Sequence, residues 1–549
     1  MTDTGPPALY FHTDAVEGDG RDLVGRRAAG SSFVKGWLAH AGGEKLHVVT
    51  DTPAGLAAFE EVARGLGDDR PIDGLALRAG GDLARFGTIF FPTPGFQNAA
   101  WLRLRSGAAT TSLVGITHTV STRRIMEGLH GLIAEPVEPW DALICTSHAV
   151  KSVVSTQLEA ERRYYSDRFD AAQVPMPRLP VIPLGIDTAD FAPREGARDR
   201  MRKALGAPDD AIVVMTLGRL SVIEKANPLP LLIALEQVAE RVGRPIHLWM
   251  AGWTNREKEE ALHHEALTAI CARVTARIVD GRDPELRRDI WAGADIFTLP
   301  VDSIQETFGL APVEAMAAGL PAVMPDWDGF RDTVADGRTG ILVPTRMMPP
   351  GTGQVLAERF ADGRDGYLQY LALVQAQVAI DIPAYADALA RLASNDDLRA
   401  QMGDAARQHA RRRFDWRVVI PQYLNLADEL ANLRRIARPA PLRNPTEIDP
   451  FQLYRAYPSG TPSPTDIVSL SAPLADGVID LHDRLSARQL YRRHPMPAAD
   501  LERAAAILSD GPKSIEALAA ALQAPVHRAM VIVLMLAKTD IVRFADVGD

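Results

Sequence analysis

The sequence predicts an α/β protein made of two doubly wound, Rossmann-like units in tandem, followed by a small, mostly helical domain. Three observations lead there. Short runs of β-branched and aliphatic residues alternate with helical stretches, the pattern of parallel strands covered by helices on both faces. The alternation occurs twice, on either side of a passage stiffened by Pro180, Pro183 and Pro193. A second proline-rich passage, from Pro439 to Pro464, then separates these units from a block of short helical segments.

In chain order, the first unit (residues 1–185) has predicted buried strands at 45–50, 88–91, 112–117 and 142–146, each followed by turn residues or a polar stretch. The second unit (186–438) has predicted strands at 213–217, 246–251, 277–280, 296–300 and 322–325. Residues 347–381 carry Pro349, Pro350 and Gly351 and are expected to be an insertion of helix plus surface loop. The pattern is helical from 384 to 435. Residues 439–498 are expected to be a linker, and 499–549 the small domain.

Length and charge limit the function. At 549 residues the chain can bury two or three separate cores. Met1 to Pro6 lacks the basic and apolar regions of a secretory signal, and nowhere do ~18 apolar residues run uninterrupted. A cytoplasmic protein without an integral membrane segment is expected, with peripheral membrane contact left open. The balance of 60 basic and 70 acidic side chains, a net charge of −10, argues against nucleic acid as the main partner. Any phosphate must therefore be held by a local cluster. Cys145 and Cys271 are too few for a disulfide framework or a zinc site and are read as core residues. With no Asp-x-Asp-like pair at a strand end and no clustered His or Cys, no metal and no other cofactor is expected.

The chemistry concentrates between residues 294 and 344. Glu306-Thr307-Phe308-Gly309-Leu310-Ala311-Pro312-Val313-Glu314 sets two carboxylates eight positions apart around the expected start of a helix. The free N–H groups and positive dipole end of that helix suit a diphosphate. Glu306 precedes the helix and Glu314 lies within it, so one carboxylate can face a sugar while the other reaches a ribose. Arg219 and Lys225 follow the strand at 213–217, and a positive pair beyond a strand's C-terminal end stands where α/β sheets bind ligands. His118 follows the apolar run 113–116 at the same kind of edge. Gly30 is read as preceding an amphipathic helix, where it would either let backbone amides approach a phosphate or simply make a turn.

The string from Glu306 to Val323 resembles the E-x7-E signature of retaining glycosyltransferases of family 4, which have the GT-B fold. Arg219 and Lys225 resemble that family's donor-phosphate pair, with one residue more between them than usual. Asp336-Gly-Arg-Thr-Gly-Ile-Leu-Val-Pro344 resembles its D-G-x-x-G-x-L-V segment, and family-like spacing continues to Phe414-Asp415-Trp416. The segment around Gly30 lacks the family's paired glycines.

The resemblance implies two domains facing across a cleft, with a nucleotide diphosphate sugar as co-substrate held mostly by the second and the acceptor side on the first. It assigns Arg219 and Lys225 to the diphosphate, Glu314 to the ribose and Glu306 to the sugar hydroxyls. Thr307, Phe308, Gly309, Leu310 and Gly30 join them in binding, and His118 stands near the reacting sugar. Glu306, His118, Arg219 and Lys225 form the implied catalytic set. The implied reaction is metal-independent transfer with retention, by same-face substitution, to a glycan, lipid or small-molecule acceptor, as in polysaccharide biosynthesis. The cationic side chains would meet the leaving group's charge. Rival readings are a nucleotide-sugar epimerase or disaccharide phosphorylase of the same fold, or a regulatory protein that senses a nucleotide sugar and acts through its C-terminal domain.

In that last domain, residues 501–508, 514–522, 526–537 and 541–544 read as three helices and a strand, an order that resembles a winged helix. From 499 to 549 there are seven acids and five bases, and the third helix has only His527, Arg528 and Lys538 beside Met530 to Leu536. DNA binding is therefore not expected. Self-association or protein contact through an exposed apolar stripe from Met530 to Leu536 is considered instead, against the alternative that the stripe packs internally.

Overall fold

The structure is a computed structural model, which describes residues 5–13, 25–79, 82–254, 256–471 and 498–545. It divides into two compact units, Met1–Asn444 and Pro445–Asp549.

The larger unit contains two six-stranded parallel sheets. The first is formed by β1 (Pro7–Tyr10), β2 (Leu46–Thr50), β3 (Ile72–Ala76), β4 (Thr88–Phe90), β5 (Ser112–Ile116) and β6 (Ala142–Ile144), in the order 3-2-1-4-5-6. The second comprises β7 (Ile212–Arg219), β8 (Ile246–Trp253), β9 (Thr275–Asp280), β10 (Ile296–Thr298), β11 (Ala322–Pro325) and β12 (Gly340–Val343), in the order 12-11-10-7-8-9. Counted from its own first strand, the second sheet repeats the winding of the first. The order reverses between β1 and β4 and between β7 and β10, and a crevice opens beyond the strand ends at such points.

Three of these strands were not predicted. β1 has only four residues and begins at Pro7, and β3 is an edge strand whose first three residues are half-buried, so neither shows a long apolar run. β12 lies inside the Asp336–Pro344 motif and is short. The insertion proves to be the helices Gln354–Ala361 and Tyr367–Gln375 plus an antiparallel ribbon of β13 (Thr345–Met347) and β14 (Val378–Ile380), where helix and loop were expected.

Gly30 requires a correction. The helix runs from Gly25 to His40, so Gly30 lies inside it instead of in a loop before it. A mid-helix amide bonds to the carbonyl four residues back and is not offered to a phosphate.

The helix Trp416–Ile436 leaves the second sheet and packs on the first, burying Trp416, Val419, Ile420, Tyr423 and Leu430 in that core. The Trp416 indole N–H donates to Ser32 Oγ at 2.8 Å. At its far end Arg434 reaches Ser112 beside the fully buried Arg103–Asp141 ion pair, and burial lowers the Arg434 pKa to about 10.

In the smaller unit, β15 (Ile467–Leu470) lies between β16 (Lys513–Ser514) and β17 (Val542–Phe544) against the helices Ala498–Ser509, Ile515–Leu522 and Val526–Ala537. β15 comes from the stretch expected to be linker; the later part of that stretch, 472–497, lies outside the described residues. Within the third helix Ala529, Ile532, Val533 and Leu536 are buried in a core with Leu501, Leu508, Ile515 and Leu518. The stripe from Met530 to Leu536 therefore packs mainly inward, with Val531 and Leu534 exposed. Among the described residues no single helix is long and apolar enough to cross a membrane.

Candidate functional site

The site is built at the reversal point of the second sheet. β7 ends at Arg219 and β10 at Thr298, and the loops that follow them converge. Lys225, from the first loop, forms an ion pair with Glu306, from the second. The Asn227 N–H donates to Asp302 Oδ1 at 3.2 Å, binding the same loops together a second time. Arg219 lies 3.5 Å from Glu224, which also pairs with Arg256 at 3.3 Å.

Beyond Glu306 the chain turns through Gly309, whose φ of 84° belongs to the left-handed region. A side chain there would also run into the Phe330 ring, so both conformation and space call for glycine. Gly309 offers no side chain to cap the helix Leu310–Ala318, whose first amides are left to other partners. The helix is apolar almost all round because it is buried, with Pro312, Val313, Ala315, Met316 and Ala317 in the interior and Glu314 the exception.

The two glutamates have opposite electrostatics. Burial acts to raise the Glu306 pKa, but the Lys225 charge and hydrogen bonds from Lys225 and the Thr307 and Phe308 amides hold it below the usual range. Burial raises Glu314, with Arg287 and Lys225 opposing. Glu306 is thus the better anion and hydrogen-bond acceptor of the pair.

The first domain contributes His118, just beyond β5. Its Nε2 lies 3.0 Å from the Pro92 carbonyl, at the end of β4 and so beside the first sheet's own reversal point. Its main-chain carbonyl accepts a hydrogen bond from Thr307 Oγ1 at 2.9 Å, which brings His118 against the Glu306 motif. Further polar contacts join the domains, among them Ser121 Oγ with the Tyr367 hydroxyl at 2.9 Å and His148 Nδ1 with Asp332 Oδ1 at 2.7 Å. His118 and Gly30 both line an apolar pocket with Leu9, Phe33, Phe90 and Tyr423.

Three residues of the site escaped the sequence reading. Asp302 is buried, and burial pushes its pKa up to about 6 against hydrogen bonds from Gln375 and the Asn227 amide. Gln375, from the insertion, donates to Asp302 Oδ1 at 2.6 Å and to the Val222 carbonyl at 2.7 Å, so it holds the Lys225 loop. Only the position of Asp302 just past an apolar run signalled it, and nothing local marks Gln375. The third, Asp328, lies in an Asp-Gly pair that reads as a turn. Both cysteines carry thiols raised by burial, Cys145 to about 12 and Cys271 to about 11, as inert thiols do.

Residues 211–362 match the family described as "Glycosyl transferases group 1". The D-inositol 3-phosphate glycosyltransferase of Corynebacterium urealyticum is 30% identical over 320 residues, covering 57% of this chain and 64% of that one. Its counterpart in Corynebacterium efficiens is 28% identical over 365 residues, covering 65% and 76%. The chain thus spans under two thirds of the length of the first of these relatives. Among solved structures, a glycosyltransferase from Rickettsia africae aligns with a TM-score of 0.47 at 12% identity, covering 78% of this chain and 98% of that one. The Anabaena protein HepE in complex with UDP aligns with a TM-score of 0.46 at 14% identity, covering 77% and 100%.

Proposed function

We propose that the chain, whose residues 211–362 match the group 1 glycosyl transferases, transfers a sugar from a nucleotide diphosphate sugar to a hydroxyl acceptor with retention of configuration. The observation that carries this reading is the Lys225–Glu306 ion pair at the reversal point of the second sheet. It sets a cation suited to phosphate against a carboxylate suited to sugar hydroxyls, at the kind of point where such sheets take nucleotides.

In this reading Arg219, Lys225 and the uncapped amides of the helix Leu310–Ala318 meet the charge that grows on the leaving diphosphate. Glu306 accepts from donor-sugar hydroxyls, Glu314 from the ribose, and His118 lies near the reacting carbon. The acceptor oxygen bonds to the anomeric carbon on the face from which the phosphate oxygen departs, and the acceptor proton passes to the leaving diphosphate. No step calls for a metal ion, since fixed cations supply the charge.

The test is incubation of the full chain with UDP-glucose, UDP-N-acetylglucosamine and GDP-mannose, following nucleoside diphosphate release. D-Inositol 3-phosphate, the acceptor in the relatives' names, is the first acceptor to try. Release with formation of a glycoside of the donor's anomeric configuration supports the reading. An inverted product contradicts retention, and a requirement for inorganic phosphate or a sugar phosphate replaces the reading with a phosphorylase.

A further inference from the structure

Resting on the donor site just described, we propose that Asp328 is a further donor-sugar contact beside Glu306 and helps decide which sugar is accepted.

The loop that carries Asp328 is fastened to the Glu306 motif. The Trp327 indole N–H donates to the Ser303 carbonyl at 3.2 Å. Gly329 rests so closely on the following turn that a Cβ there would lie 2.5 Å from Phe308 Cα and 2.7 Å from the Thr307 carbonyl oxygen. The Phe330 ring fills the space beside Gly309. Asp328 has little freedom to move away from the site.

The residue is held in an unfavourable state. Its φ of 45° puts a non-glycine residue in the left-handed region, which L-residues enter at a cost. Its Oδ2 is shielded from solvent and has no hydrogen-bond partner. Gln305 Oε1, on the residue before Glu306, is in the same condition. A buried polar oxygen without a partner is a rare and destabilising feature, and here two of them belong to segments that pack on each other. Among the described residues no donor reaches either oxygen.

A sugar would supply one, because its hydroxyls both donate and accept. Burial and the neighbouring Glu306 charge push the Asp328 carboxyl well above its ordinary range, while the Gly329 amide donates to it. Asp328, with its pKa raised, favours the protonated, donating form more than Glu306, whose pKa is lowered and which is the better acceptor. A donor next to an acceptor distinguishes hydroxyl positions and orientations, and a site built to bond a hydroxyl discriminates strongly against analogues that lack it.

Two variants of the full chain test this. Asp328→Gly removes the carboxyl and relieves the left-handed backbone, so folding is not at risk. Asp328→Asn keeps a hydrogen-bond donor and tolerates the same backbone. Steady-state KM and kcat are measured with UDP-glucose, UDP-N-acetylglucosamine and GDP-mannose, and the binding of free UDP and GDP by calorimetry. The expected result for Asp328→Gly is about a 10-fold or greater rise in KM for the preferred sugar and a similar fall in its preference over the others. Nucleoside diphosphate affinity should stay unchanged, and Asp328→Asn, which keeps a donor, should recover most of the KM and selectivity that Asp328→Gly loses. Wild-type KM and selectivity in Asp328→Gly would overturn the proposal, and so would an equal loss of UDP or GDP binding, which would make Asp328 a general support of the fold. If the wild-type chain neither turns over these donors nor binds UDP or GDP, the glycosyltransferase reading itself fails and takes this proposal with it.

Discussion

The Lys225 ammonium and the Glu306 carboxylate form an ion pair between loops that leave neighbouring strands of the second sheet, 81 residues apart. The pair couples the part of the site suited to phosphate to the part suited to sugar. In the proposed reading a bound diphosphate would compete for Lys225, and Glu306 would then share its cation with the ligand.

Glu306→Gln keeps the size and one acceptor oxygen of the side chain but removes its charge. Turnover is expected to fall by about 100-fold or more while donor affinity changes by less than about 3-fold. Measuring donor binding and initial rates separately checks this, and a wild-type rate would remove Glu306 from the catalytic set.

Lys225→Ala takes away the charge that holds the Glu306 pKa down. Nucleoside diphosphate affinity is expected to drop about 10-fold or more, the size of a lost charge-assisted hydrogen bond. The Glu306 carboxyl, still buried, then titrates at higher pH, so the acid limb of the kcat/KM profile moves up. An acid limb that stays in place would show that Lys225 does not control Glu306.

Donor turnover should survive a strong chelator, because in the proposed reading Arg219, Lys225 and the helix-end amides meet the charge on the leaving group. Assays with and without the chelator, and with magnesium or manganese restored, decide the point. Activity lost on chelation and recovered with either ion would contradict it.

Asp302 links pH to stability. Its pKa in the folded chain is about 6, above the ordinary 3.8, so the folded state binds the proton more tightly than the unfolded one. Stability therefore falls as pH rises from about 4 through about 6, and the cost is complete above that. Asp302→Asn keeps an acceptor for the Asn227 and Gln375 donors without a buried charge. It should be more stable than wild type at pH 8 by about 1–3 kcal/mol, and the gain should vanish near pH 4. Denaturant unfolding at the two pH values tests this; equal gains at both would mean that ionisation is not the cause.

Shortening the chain to Met1–Asn444 keeps both parallel sheets and the bracing helix Trp416–Ile436. It should fold and retain donor turnover within about 3-fold, since this cut follows the division between compact units. Comparing rates and solution mass of the short and full chains checks the claim. A folded but inactive short form would show that Pro445–Asp549 completes the site.

The parts of the site readable from sequence were those set by local chemistry. A glycine at the start of an apolar helix, two carboxylates at a fixed offset and a cation just past a buried strand are each local patterns, so Gly309, Glu306, Glu314 and Arg219 could be singled out as candidates from the sequence. The repeated winding of two sheets was legible in the alternation of elements, although β1, β3 and β12 were too short or too weakly apolar to register. Gly30 was misread because a glycine near a helix start looks the same whether it precedes the helix or lies within it. Other features depended on contacts that no local pattern encodes. The Lys225–Glu306 pair, the Gln375 support of Asp302 and the Thr307 bond to the His118 carbonyl each join segments distant in sequence. Periodicity and capping are settled by neighbours along the chain. Charge pairing and burial depend on which loops the folded sheets bring together, and only tertiary structure decides that.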